Sequence, residues 1–185
     1  MTDTEKKENK MRPEENKSKN RGKRKTALSY AVEFFVKIAA TAAVIAILTI
    51  FVVGIYVNHS NSNYPMIKDG DLCITYKLAD LAVGDEIAYL RDGNVVFGRI
   101  VARAGDVVEI RDDNLTVNGY GVFENAVYPT PAEGAKIVFP YTVPQDTFFV
   151  LNDYRSDPGD SRICGGIKKD RIKGKVVMVL RIRGI

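Results

Sequence analysis

The chain has 185 residues, a mass of 20.5 kDa and a net charge of +4, enough for one modest domain with appendages but not for two full cores. Residues 1–27 carry ten Lys/Arg against five Asp/Glu, while the remainder carries seventeen against eighteen. The body therefore has no positive surplus to neutralise phosphates, which argues against nucleic acid as a partner. Two cysteines rule out a disulfide scaffold, and one histidine rules out a metal site built on several imidazoles. No glycine-rich phosphate loop is present, so neither a metal nor a cofactor is expected.

Residues 1–27 are rich in Lys, Glu, Asn and Arg and nearly free of large apolar side chains. Such a segment cannot offset the entropy of ordering and reads as a disordered basic tail. Its cluster Arg21, Lys23, Arg24 and Lys25 suits a topology signal, with acidic lipid or nucleic acid as the alternative ligand.

Residues 28–57 read as a membrane anchor. Ile38 to Val57 is a run of twenty residues without a charge, and at 1.5 Å per residue it covers about 30 Å, the hydrocarbon thickness of a bilayer. A cleaved signal peptide would have a shorter apolar region followed by a small-x-small site, and neither is seen. The basic tail lies before the run and the next lysine after it is Lys68. The positive-inside rule then puts the N-terminus in the cytoplasm and the C-terminal part outside, with the lipid bilayer as a partner.

Residues 58–185 form a mainly β body. Leu72–Lys77 is a short strand. Glu86–Leu90 and Val95–Phe97 flank Arg91-Asp92-Gly93-Asn94, a hairpin signal. Val107–Ile110 and Leu115–Val117 bracket a second turn, and Phe148–Leu151 and Val176–Ile182 read as buried strands. No stretch holds a helical period over three turns, so the expected architecture is an antiparallel sheet, closed or folded over. Tyr128-Pro129-Thr130-Pro131 marks a loop within it. Cys73 sits in an apolar strand and Cys164 in Ile163-Cys164-Gly165; two buried free thiols are expected, with a disulfide as the alternative in an oxidising compartment.

Four segments in order carry a resemblance. They are Ser60 to Asp71 just after the anchor, Gly84-Asp85-Glu86-Ile87, Gly98 to Asp106, and Asn152-Asp153-Tyr154-Arg155 running to Asp160-Ser161-Arg162. Together they resemble the type I signal peptidase family, membrane-anchored serine proteases of the Ser/Lys dyad class that remove signal peptides outside the membrane. The resemblance implies a nucleophile at Ser62, an oxyanion hydroxyl at Ser60, a substrate groove at Asn63, Tyr64 and Pro65, and a bracing pair at Asp160 and Arg162. Asn63 stands where the family has Met. Tyr64, Met66, Ile67 and Phe139-Pro140-Tyr141 are open to two readings, dipping into the bilayer or packing in the core.

The same resemblance exposes a missing part. A serine hydroxyl needs a base to take its proton; in this family a Lys held neutral by apolar surroundings does so. Gly98 occupies that position, and the His of the endoplasmic-reticulum branch is absent too. Arg99 cannot substitute, because a guanidinium stays protonated. Pro158 stands where a supporting Ser is expected, and no lysine lies between Lys77 and Lys136. One expectation is therefore a homologue without peptidase activity that binds an exported chain. Similar proteins of Gram-positive pilus loci imply a signal peptide or pilin as that chain and a sortase as a further partner. The alternative is an active serine endopeptidase with an unconventional base, His59 or Lys68 being the nearby candidates. A third reading makes Ser62 a plain loop residue.

Overall fold

The computed structural model describes residues 26–122 and 129–181. By compactness the chain divides into Met1–Thr41 and Ala42–Ile185. The basic cluster before Thr26 and the Tyr128 end of the Pro-rich stretch lie outside the described residues.

The first element is helix α1, Ala27–Phe51. Its 25 residues span about 37 Å at 1.5 Å each, and it is long and apolar enough to cross a membrane. None of its residues is buried.

The anchor does not run as helix to Val57. It stops at Phe51, and Val53–Val57 is strand β1, paired antiparallel with β2, Leu72–Tyr76. The reason is local chemistry plus packing. Val52, Val53, Ile55 and Val57 are β-branched, and Gly54 packs so closely that an added Cβ would lie 2.5 Å from Thr75 Oγ1. The Lys77 ammonium donates to the carbonyls of Thr49 (3.1 Å) and Ile50 (2.9 Å), a cation satisfying the helix C-terminus.

The remaining strands are β3 (Glu86–Arg91), β4 (Asn94–Arg103), β5 (Val107–Arg111), β6 (Asn114–Val117), β7 (Tyr120–Gly121), β8 (Tyr141–Thr142), β9 (Thr147–Leu151), β10 (Ile167–Lys168) and β11 (Ile172–Leu180). A single helical turn, α2 (Ser161–Cys164), precedes β10. Seven strands form one sheet in the order β1-β2-β11-β3-β4-β9-β10, and four form a second in the order β7-β6-β5-β8. All pairings are antiparallel. The mainly antiparallel β architecture after one apolar helix is as the sequence implied. Asp92-Gly93 and Asp112-Asp113 both adopt positive φ at the two hairpin corners, the geometry that matches strand twist. Asn118-Gly119 does the same between β6 and β7.

Three buried clusters hold these layers. Val101, Ala102, Val108, Val143, Phe149 and Leu151 join the two sheets. Ile87, Tyr89, Ile100 and Val150 lie on one face of the large sheet, and Ile67, Cys73, Ala88 and Phe97 on another. Alternate residues of β3 and β9 enter different clusters, so both strands are covered on two sides. Ile67 is buried with Cys73, Ala88 and Phe97, Phe139 and Tyr141 pack against the cluster that joins the two sheets, and Tyr64 and Met66 are exposed. Both cysteines are free; Cys73 is buried, but Cys164 is exposed, against the expectation of two buried thiols. The short α2 ends at Gly165, and the turn leaves the Cys164 side chain at the surface.

Candidate functional site

The segment between β1 and β2 carries Ser60 and Ser62, and the fold holds it from both ends. Asn58 N–H donates to Asp71 O, and Gly70 N–H to Asn58 O, each at 2.9 Å. The Asn58 amide also donates to Lys68 O (2.9 Å) and to Ser60 O. Ile67 anchors the middle of the loop in the core. The Asp71 carboxylate accepts from Arg181 Nη2 at 2.6 Å, and this contact above all holds its pKa below the ordinary value.

The loop is stapled to the segment after β9. Tyr154 N–H donates to Ser62 O at 2.9 Å, and Asp153 N–H to Asn63 Oδ1 at 3.3 Å. Asn63 is therefore a buried staple as well as a wall of the groove. Pro65, also expected at the groove, is exposed after a cis peptide bond and lines neither cavity at the serines.

The Ser62 hydroxyl donates to Asp157 Oδ2 at 2.5 Å, and Ser60 Oγ lies 2.6 Å from Ser62 Oγ. A hydroxyl has one proton to give. With that of Ser62 on Asp157, the Ser60 hydroxyl must donate to Ser62. The Ser62 N–H in turn donates to Ser60 Oγ at 3.1 Å. The two groups suited to hold a developing oxyanion, the Ser60 hydroxyl and the Ser62 N–H, are thus engaged with each other. His59 lines the cavity beside the serines, but no lysine or histidine nitrogen hydrogen-bonds Ser62 Oγ among the described residues. Asp157 was not singled out from the sequence. The available signal was its place next to Pro158, in the segment that carries the Asp160–Arg162 pair.

Gly98 is buried in β4, opposite Ile87 of β3. A Cβ added there would lie 2.7 Å from Val150 Cγ1, 3.2 Å from Leu151 O and 3.5 Å from Tyr89 Cε1. A longer side chain therefore has no room unless Val150, itself fully buried, moves. Neighbouring Arg99 points elsewhere, donating to Asp153 through Nε (2.7 Å) and Nη2 (2.6 Å) and to Gly84 O through Nη1 (2.8 Å).

Behind Arg99 lies Glu86, buried, with Oε2 3.2 Å from Arg99 Nη2 but no hydrogen bond to either oxygen among the described residues. Burial pushes its pKa up to about 8; the Asp153 charge adds to this, and Arg99 and Arg155 oppose it. Asp153 holds Arg99 more tightly, which explains why an ion-pair distance coexists with a raised pKa. A carboxyl that binds its proton more tightly folded than unfolded stabilises the fold fully below its unfolded pKa. That contribution is lost as pH climbs through the folded value. The thermal midpoint should thus fall between about pH 5 and 8, and Glu86→Gln should flatten that slope. Equal slopes in both proteins across this range would contradict the assignment.

Asp160 and Arg162 form a fully buried pair, with Nη2 2.7 Å from Asp160 Oδ2 and Nε 2.9 Å from Oδ1. Asp160 also caps α2 by accepting from Arg162 N–H. It takes Asn152 N–H at 3.0 Å as well.

Two open cavities meet at the serines. One, of about 440 Å³, is lined by Ser60, Asn61, Ser62, Tyr64, Tyr154 and Asp157. The other, of about 550 Å³, runs from Ile55–His59 past Ser60 and Ser62 to the β3–β4 hairpin and Asn152.

The family model described as signal peptidase, peptidase S26, matches residues 31–181. The chain belongs to this family. It is similar to signal peptidase IB of Staphylococcus aureus (strain Mu50), 27% identical over 170 residues that cover 78% of this chain and 86% of the relative. It is also similar to signal peptidase I T of Bacillus subtilis (strain 168), 29% identical over 133 residues, covering 64% and 69% of the two chains. The crystal structure of a signal peptidase I from Enterococcus faecalis V583 aligns with a TM-score of 0.46 and 29% identity, covering 54% of this chain and 98% of that one. This chain is a membrane-anchored signal peptidase I homologue.

Proposed function

We propose that this protein binds the extended chain of an exported protein outside the membrane and does not cut it, acting as a holding module for a signal peptide or a pilin precursor. The observation that carries this reading is the packing at Gly98. A base reaching Ser62 from that position would need space that Val150 and the Leu151 carbonyl fill. The engagement of Ser60 with Ser62 supports it further. The tail would lie in the cytoplasm and the β body outside, as the positive charge before α1 favours. A sortase consuming the held chain is the further partner this role implies.

The surface suits the task. β1 is one of the two edge strands of the seven-stranded sheet, and its exposed Ile55 and Val57 lead along the larger cavity to the serines. An extended peptide can add to such an edge by backbone pairing. The chain between α1 and β1 is a single residue, so a signal peptide leaving the bilayer would meet this edge at once.

One contact favours a second reading, a slow serine endopeptidase in which Asp157 takes the Ser62 proton. Incubating the detergent-purified protein with a signal-peptide-bearing substrate, with and without Ser62→Ala, separates the two. Binding without Ser62-dependent cleavage is expected under the holding role.

A further inference from the structure

Resting on that holding role, we propose that the smaller cavity is a subsite for a cationic side chain, lysine or arginine, of the held peptide. Of its six lining residues, two are tyrosines, three carry neutral polar groups and one is a carboxylate; none is a cation and none is aliphatic. Tyr64 and Tyr154 are 47% and 50% exposed, so their rings are accessible. Electron-rich ring faces next to a carboxylate attract an ammonium or guanidinium group.

The Asp157 carboxylate has capacity left. Its Oδ1 takes the Gly159 N–H at 2.9 Å and its Oδ2 the Ser62 hydroxyl at 2.5 Å. A carboxylate offers about four acceptor positions, so a further donor can be received on either oxygen. Lys68 Nζ already lies 5.0 Å from the Tyr64 ring centroid, so the Tyr154 ring and the Asp157 carboxylate are the partners open to an incoming cation. Lys68 does not line the cavity, which leaves the interior for an incoming group.

Position ties this cavity to the peptide. Ser60, Ser62 and Tyr64 form one wall, and Ser60 and Ser62 also line the larger groove along β1. A peptide lying in that groove passes over Ser62, and the side chain next to that point reaches Asp157. The subsite therefore reads a basic residue at one fixed position of the bound chain.

The test is fluorescence anisotropy with the full chain in detergent and labelled peptides made of an apolar stretch and a small-residue segment. Lysine, norleucine and glutamate are placed in turn at each position across that segment. At one position lysine should bind about tenfold tighter than norleucine, and glutamate weaker than both. Asp157→Asn should bring the lysine-to-norleucine ratio near one, and Tyr154→Leu, a surface change, should reduce it about threefold. Equal binding of lysine and norleucine peptides at every position would overturn the subsite while leaving the holding role standing. A preference that survives Asp157→Asn would overturn it too. If no peptide of the set binds, the holding role itself fails, and the subsite with it.

Discussion

Replacing Arg162 with alanine should cost the β body about 3–5 kcal/mol, the usual penalty for stranding one partner of a buried ion pair. Arg162 is 0% exposed, and its guanidinium commits every donor. Nε and Nη2 serve Asp160, Nη1 serves the carbonyls of Arg155 (2.7 Å) and Pro131 (3.1 Å), and Nη2 also serves that of Asp157 (2.6 Å). Alanine would leave a buried carboxylate and three carbonyls without these donors. Typical domains hold only about 5–15 kcal/mol in total, so the thermal midpoint should drop by roughly 10–20 °C. Arg162→Lys keeps the charge but supplies three donors in place of five, and should recover part of the loss. A midpoint within about 2 °C of wild type for the alanine variant would show that the pair does not brace the site. The effect reaches function because the Asp157 carbonyl is one of the bonds lost, and Asp157 is the residue that holds Ser62.

The second large effect is expected at Gly98. Placing a lysine there should destabilise the chain and, under the holding role, yield no hydrolysis. Overpacking a filled core costs about 1–3 kcal/mol, and the first atom of any side chain would already sit 2.7 Å from Val150 Cγ1. Val150 is β-branched and fully buried, so it has few rotamers to retreat into. Gly98→Ala isolates that steric part. Combined with Val150→Ala, which removes the obstructing methyl groups, it should cost clearly less than the sum of the two single changes. Strict additivity in urea denaturation, or a Gly98→Lys protein as stable as wild type, would contradict this account of the position.

Some of this was legible in the sequence and some was not, for physical reasons. The hairpins at Asp92-Gly93 and at Asp112-Asp113 were readable because the turn residues and the flanking apolar alternation agree. The ordered motifs gave the family because they are short local patterns. Where the anchor ends was not readable. Val53 to Val57 is as apolar as a membrane helix, and only its pairing with Leu72–Tyr76 makes it a strand. Asn118-Gly119 is a strong hairpin signal, but the strand it opens, β7, is only two residues long and shows no alternation. The glycine at position 98 was visible in the sequence, but its close packing against Val150, 52 positions along the chain, was not. The Ser62–Asp157 contact spans 95 residues, and no local pattern encodes it. Asp160 and Arg162 were expected to brace the site, and their geometry is that of a buried ion pair.

The most direct measurement is the intact mass of a signal-peptide-bearing exported protein after prolonged incubation with this protein and with its Ser62→Ala variant. The holding role predicts that both proteins co-purify with the substrate and that its mass is unchanged beyond background in both. A single new cleavage product with wild type, absent with Ser62→Ala, would contradict it and make Asp157 the first proton acceptor to test.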